Sequence, residues 1–256
     1  MLRGVLLDLG GVVYDGETVI PGSAEAVGRL RAYGLAVRFI SNTTRSPRAA
    51  LVRQLAAFGI VVAEHELVTP AGAARDWLLR NRRSPHLVVH PKLRPEFDGV
   101  SFEGAPAVVV GDAGDTFDYA MLNAAFRQLM EGAAFIALAN NRMFKDRDGL
   151  PSMDAGAFVA ALEFASGVKA EVIGKPAPAF FHAALAEMGC TAQEVSMVGD
   201  DAESDVAGAL RAELGCALLV RTGKYRAGDE TRFSPKPSAV VADLAEAVDH
   251  ILSKVG

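Results

Sequence analysis

Residues 5–16 read VLLDLGGVVYDG: an apolar run, one carboxylate at Asp8, a pair of glycines, then apolar residues again. A short, wholly apolar run of this kind marks a strand buried on both faces, and a polar residue at its end marks the point where the chain leaves the core. The same grammar recurs along the chain. LAVRFISN (35–42), HLVVHP (86–91), AVVVGDA (107–113), AFIALAN (134–140), AEVIG (170–174), VSMVGD (195–200) and CALLVRTG (216–223) are further strand candidates.

Longer amphipathic segments separate them. SAEAVGRLRAYG and SPRAALVRQLAAFG predict helices stopped by Gly34 and Gly59. Further helices are expected in FDYAMLNAAFRQLMEGA, AGAFVAALEFASG, PAFFHAALAEMG, DVAGALRAELG and DLAEAVDHILSKV, and NRMFKDRDGLPSMD reads as a polar loop. The β-α-β-α rhythm predicts an α/β fold with a doubly wound parallel-sheet (Rossmann-like) core.

Composition bounds the function. The 256 residues are 50% hydrophobic and 22% charged, with a net charge of −5, enough apolar material for one or two domains. That charge offers no basic footprint for nucleic acid and no polybasic membrane anchor. No apolar stretch approaches a membrane span, and Asp8 interrupts the N-terminal run, so the expected location is the cytoplasm. Cys190 and Cys216 fit no zinc or disulfide spacing and read as packed, reduced thiols.

In an open parallel sheet, reactive residues gather at the carboxyl ends of the strands. Asp8, Ser41 with Asn42, Lys175, and Asp200 with Asp201 each follow a strand candidate there. Singly, each also fits a cap or turn. Together they make a phosphoryl-transfer set: a carboxylate nucleophile, hydroxyl and amide donors, a cation, and acids for a hard divalent metal such as Mg²⁺.

DLGGV (8–12), SN (41–42), GKP (174–176) and GDDAESD (199–205) resemble the four motifs of haloacid dehalogenase superfamily phosphatases. Only 33 positions separate Asp8 from Ser41, but 134 separate Ser41 from Lys175, which resembles the subfamily with a large α/β cap inserted between motifs two and three. The expected organisation is therefore a discontinuous core of residues 1–75 and 172–256 with a cap of residues 76–171. GVLLDLGGVVYD, RMFKDRDGL, ALEFASGVKAEVIGKP and VRTGKYR extend the likeness nearly end to end, toward the group of phosphatases that act on phospholysine, phosphohistidine and inorganic pyrophosphate and their hydrolase-domain relatives.

The resemblance implies a Mg²⁺-dependent phosphohydrolase working through an aspartyl phosphate on small phosphorylated compounds. It makes Asp8 nucleophile and metal ligand, Gly10 a ligand through its carbonyl oxygen, and Asp200 a further ligand. Asp205 stands at the second acidic position of motif four, acting through water or by positioning Lys175. Ser41, Asn42 and Lys175 become phosphate contacts. Arg142 and Lys145 fall where the group carries basic residues, suited to a second anionic group of the substrate; the aromatic pair common between them is Met143 and Phe144 here. Caps of this subfamily often mediate dimers, so a homodimer is expected.

Gly10 departs from the superfamily pattern, which places an aspartate there to protonate the leaving group. Such assistance is worth about 10²- to 10⁴-fold. Its absence favours leaving groups that depart without help, namely phosphate, imidazole, a protonated amine or an aryl oxide. The alternative is a catalytically weak or inactive Mg²⁺- and phosphate-binding protein of the same fold. Carbon–halogen cleavage also uses an aspartate nucleophile, but the carboxylates of GDDAESD and the large cap argue against it.

Overall fold

The computed structural model describes residues 1–145, 150–186 and 188–255, which form two compact units. The first comprises residues 1–41, 51–68 and 175–256. Its sheet has six parallel strands in the order Ala239–Val241, Cys216–Val220, Val195–Gly199, Gly4–Asp8, Ala36–Ile40, Leu67–Val68. From Gly4–Asp8 the chain winds outward in one direction through Ala36–Ile40 and later in the other through Val195–Gly199. These two central neighbours flank the point where the winding reverses, and a crevice opens beyond their carboxyl ends.

Gly4–Asp8 is buried along its whole length. Val5 and Leu7 join Leu9 in one apolar cluster with Val27 and Leu30 of the helix Ser23–Ala32 and Val248 and Ile251 of Leu244–Leu252, while Leu6, equally buried, lies outside that cluster. Side chains alternate between faces, so a strand with helices on both sides must be apolar at every position. The sequence run VLL is that requirement written out.

The second unit, residues 42–50 and 69–174, has its own four-stranded parallel sheet in the order Glu171–Val172, Ala134–Ala137, Ala107–Val110, Pro85–Val88. Val109 packs with Ala74 and Leu78 on one face, and Val108 and Val110 pack with Leu129 and Val159 on the other. The fold is thus α/β throughout, with an α/β unit inserted into a doubly wound core.

The structure departs from the expected elements at four places. A helix, Pro70–Asn81, follows the second core crossover; Thr69 caps it through a bond from the Gly72 amide and Pro70 occupies its first turn. It packs on the inserted sheet, so the units part at residues 68 and 69 and not at 75 and 76, which would cut the helix. Glu171–Val172 pairs with Ala134–Ala137, placing residues 172–174 with the inserted unit and moving the second boundary to 174 and 175.

The expected polar loop contains an antiparallel ribbon, Met143–Lys145 with Pro151–Met153. Finally, the expected helix after GDD begins as a wide-pitch π turn over Ala202–Ala207, the Val206 amide reaching back to the Asp201 carbonyl at 3.2 Å, before the short α-helix Gly208–Arg211. Such wide turns concentrate at functional sites.

Candidate active site

Asp8, the last residue of its strand, and Asp200, the first after Val195–Gly199, emerge side by side at the winding reversal. Asp205 comes up from the π turn. Carboxylate oxygens of Asp8, Asp200 and Asp205 lie within 4.8 Å of one another, and all three residues are buried. Lys175 is equally buried and sits between two of them, its Nζ 2.5 Å from Asp8 Oδ1 and 2.6 Å from Asp205 Oδ1. Asp205 Oδ2 also accepts the Asp201 amide at 3.1 Å, which locks the carboxylate that holds Lys175.

One lysine cannot neutralise three buried carboxylates. Burial pushes Asp8 up to about 6, opposed by Lys175 and reinforced by Asp205. Asp200 is pushed further, to about 8, by burial and by the Asp205 and Asp8 charges. For Lys175 burial works against the charge, but Asp205 and Asp8 outweigh it and hold the ammonium above its ordinary value. The lysine is therefore a fixed cation, and Asp200 is the carboxyl on which ionisation is hardest without a further cation.

Asp200 is held in a tight cradle. Its Oδ2 accepts the Lys224 amide at 2.7 Å. A Cβ at Gly11 would lie 2.0 Å from that oxygen, and one at Gly223 would lie 2.1 Å from it. Both glycines also have positive φ, 80° and 62°, which side-chain-bearing residues rarely adopt. The other oxygen, Oδ1, is buried with no hydrogen-bond partner. An orphaned carboxylate oxygen beside two more carboxylates is an all-oxygen donor set that fits Mg²⁺. Asp8, Asp200 and the Gly10 carbonyl would hold it, with Asp205 close by.

Gly10 itself is exposed, and a Cβ built there would meet nothing within 4 Å. It bridges to Tyr14 at the root of a small hairpin, Tyr14–Asp15 with Thr18–Val19, where Asp15 is a pairing residue of the turn. The Tyr14 phenol is pushed up to about 12 by burial and by Asp8, so it stays protonated.

Among the other expected residues, Ser41 is buried just past Ala36–Ile40, its amide donating to the Val68 carbonyl at 3.0 Å. Asn42 belongs to the inserted unit, where its Oδ1 would lie 3.0 Å from a Cβ at Gly174. Arg142 is exposed in that unit beside the ribbon strand Met143–Lys145; the side chain of Lys145 lies outside the described residues. Asp201 caps the π turn, accepting the Glu203 and Ser204 amides at 3.1 and 3.0 Å. The loop Thr222–Gly223–Lys224 escaped sequence reasoning because it acts through a backbone amide and a missing side chain; Gly223, just past the strand Cys216–Val220, was its one visible sign.

Two family models match the chain: haloacid dehalogenase-like hydrolase over residues 5–103 and HAD-hydrolase-like over 172–247. The chain is 44% identical over 257 aligned residues to human phospholysine phosphohistidine inorganic pyrophosphate phosphatase, covering 98% of this chain and 94% of that protein. A p-nitrophenyl phosphatase from Archaeoglobus fulgidus superposes with a TM-score of 0.90 at 26% identity, over 97% of this chain and 99% of that one. A glycerol phosphate phosphatase from Mycobacterium tuberculosis, solved in complex with magnesium, gives 0.84 at 27% identity, over 96% and 76% of the respective chains.

Proposed function

The chain belongs to the haloacid dehalogenase-like hydrolases and is a phosphatase; from that premise we propose a Mg²⁺-dependent phosphohydrolase that acts through an aspartyl phosphate on Asp8 and favours pyrophosphate, P–N bonds and aryl phosphates. The observation that carries the reading is the pairing of a complete nucleophile site with an empty acid position. Asp8 is buried 2.5 Å from Lys175 beside Asp200 and Asp205, while Gly10 offers no proton.

Bound Mg²⁺ supplies charge neutralisation on the phosphoryl group and keeps Asp8 ionised at neutral pH. A carboxylate oxygen of Asp8 attacks phosphorus in line with the departing group, and water then hydrolyses the acyl phosphate. Lys175, fixed between Asp8 and Asp205, stabilises charge on the transferring oxygens, joined by Ser41 and Asn42 as phosphate contacts. Asp205 orients Lys175 through the contact at 2.6 Å.

Because the residue two past the nucleophile is glycine, the leaving group departs as its own stable form. Inorganic phosphate, imidazole, a protonated amine and an aryl oxide do so; a sugar alkoxide does not. The names of the human pyrophosphate phosphatase and the archaeal p-nitrophenyl phosphatase support the same substrate class. Arg142 and Lys145 are proposed to attract the second anionic group that pyrophosphate provides. A homodimer is proposed on the family resemblance, supported by the exposed Tyr119 and Phe164 on helices of the inserted unit, and light scattering checks it.

The test is phosphate release with Mg²⁺ from pyrophosphate, phosphohistidine, phospholysine, an aryl phosphate and sugar phosphates, with Asp8→Asn as control. The first four are expected to outpace the sugars. Hydrolysis of a hexose phosphate at rates like those on pyrophosphate overturns the substrate assignment, and release by Asp8→Asn overturns the nucleophile.

A further inference from the structure

Arg45 lies four residues past Ser41, in the segment of residues 42–50 that belongs to the inserted unit. Its guanidinium makes a two-nitrogen pair with Asp112: Nε donates to Oδ2, and Nη2 donates to Oδ1 at 3.3 Å. Asp112 follows Ala107–Val110 and is 6% exposed; its own amide donates to Thr44 Oγ1 at 3.2 Å, and its Oδ1 accepts the Gly114 amide at 2.8 Å. Asp112 thus holds both the Arg45 guanidinium, through its carboxylate, and the side chain of the preceding Thr44, through its amide.

The other face of the guanidinium is also used. Arg45 Cζ stands 4.8 Å from the centroid of the Phe144 ring, within cation–π range. Phe144 is the middle residue of the ribbon strand Met143–Lys145, next in the chain to Arg142's neighbour and to Lys145. The base of that ribbon is closed by the buried Asp154, whose amide donates to the Arg142 carbonyl at 3.2 Å.

We infer that Arg45 is a positioning residue: pinned by Asp112 and stacked on Phe144, it sets the ribbon that carries Arg142 and Lys145 and thereby the enzyme's discrimination for substrates with a second anionic group. A planar guanidinium is required for this, since it pairs edge-on with a carboxylate while presenting a face to an aromatic ring. Lysine keeps the charge but provides neither. The inference rests on the proposed role of Arg142 and Lys145 toward such substrates.

The test measures KM and kcat with Mg²⁺ for pyrophosphate and for p-nitrophenyl phosphate, which lacks the second anionic group. Arg45→Lys is expected to raise KM for pyrophosphate by about tenfold relative to that for the aryl ester, with the kcat ratio of the two substrates unchanged. Phe144→Leu is expected to do the same, and the double variant to be no worse than either single one. Phe144→Leu carries the test alone if Arg45→Lys does not fold. A merely structural role moves both substrates alike, and that outcome overturns the inference.

Arg142→Ala separates the two levels of argument. If it raises the pyrophosphate KM while Arg45→Lys and Phe144→Leu do not, the positioning role of Arg45 is wrong and the substrate reading stands. If Arg142→Ala leaves the pyrophosphate KM unchanged, the reading beneath the inference fails and the inference falls with it.

Discussion

The molecule contains two parallel sheets that end in opposite electrostatic states. At the carboxyl end of the six-stranded sheet, three buried carboxylates share one lysine, and Asp200 Oδ1 has no partner. At the carboxyl end of the inserted sheet, Asp112 is matched by Arg45 and by the Gly114 amide, and the Arg45 guanidinium lies in turn over the Phe144 ring. The same architecture thus builds a charge imbalance in one place and a neutral clasp in the other. Chemistry is concentrated where the bookkeeping fails to close, because an unpaired buried charge is what a cation and a phosphoryl group can complete.

The largest expected effect breaks the imbalanced site at its nucleophile: Asp8→Asn lowers kcat by about 10⁴-fold or more, read by phosphate release from an aryl phosphate. Next, Lys175→Met removes the only cation between Asp8 and Asp205 among the described residues and lowers kcat by about 10²- to 10³-fold in the same assay. Gly10→Asp acts in the opposite direction. Its side chain enters open space, and hydrolysis of a sugar phosphate is expected to rise by about 10- to 100-fold, with little change on p-nitrophenyl phosphate.

Stability sharpens the contrast between the sheets. Asp200 binds its proton more tightly when folded, at about 8, than at its ordinary 3.8, so protonation favours the folded state. That stabilisation is full below about pH 4 and is lost as pH rises through about 8; Asp8 adds a loss of the same sign through about 6. In a chelator the thermal midpoint is expected to fall between pH 5 and 8 in steps of about one pH unit, and less so in Asp200→Asn, with Mg²⁺ restoring wild-type stability at the alkaline end. Asp112→Asn in the balanced region does the reverse, lowering stability by about 1 kcal/mol in a urea titration, modest because the Arg45 side chain is 42% exposed.

Much of this was legible in the chain. Asp8, Ser41, Lys175 and Asp200 are readable because each ends or follows an apolar run, and that pattern is local; Asp205 is readable only through the resemblance of GDDAESD. Gly10 is readable as an absence, since the residue two past a nucleophile has a chemical task. The helix Pro70–Asn81 carried its own start signal in Thr69–Pro70, yet its short, alanine-rich apolar face gave weak periodicity.

What the sequence could not carry was pairing at a distance. Arg45 and Asp112 are 67 positions apart, and nothing in SNTTRSP or VVVGDAG announces the other. The Lys224 amide on Asp200 is less visible still, because every residue but proline has that donor. The ribbon strands Met143–Lys145 and Pro151–Met153 hid inside a polar stretch because strands this short have no period to detect.

The cradle around Asp200 also dates the enzyme's competence. Its walls come from residues 11, 200 and 223, and the nucleophile from residue 8, so the site closes only when the first strand and the strand Cys216–Val220 stand in one sheet. Bringing residues 11 and 223 together must overcome the closure entropy of a loop of about two hundred residues. The first turnover of a refolding molecule is therefore a clock for the docking of its last strands, and a chain stalled before that step is a folded-looking body without a catalyst.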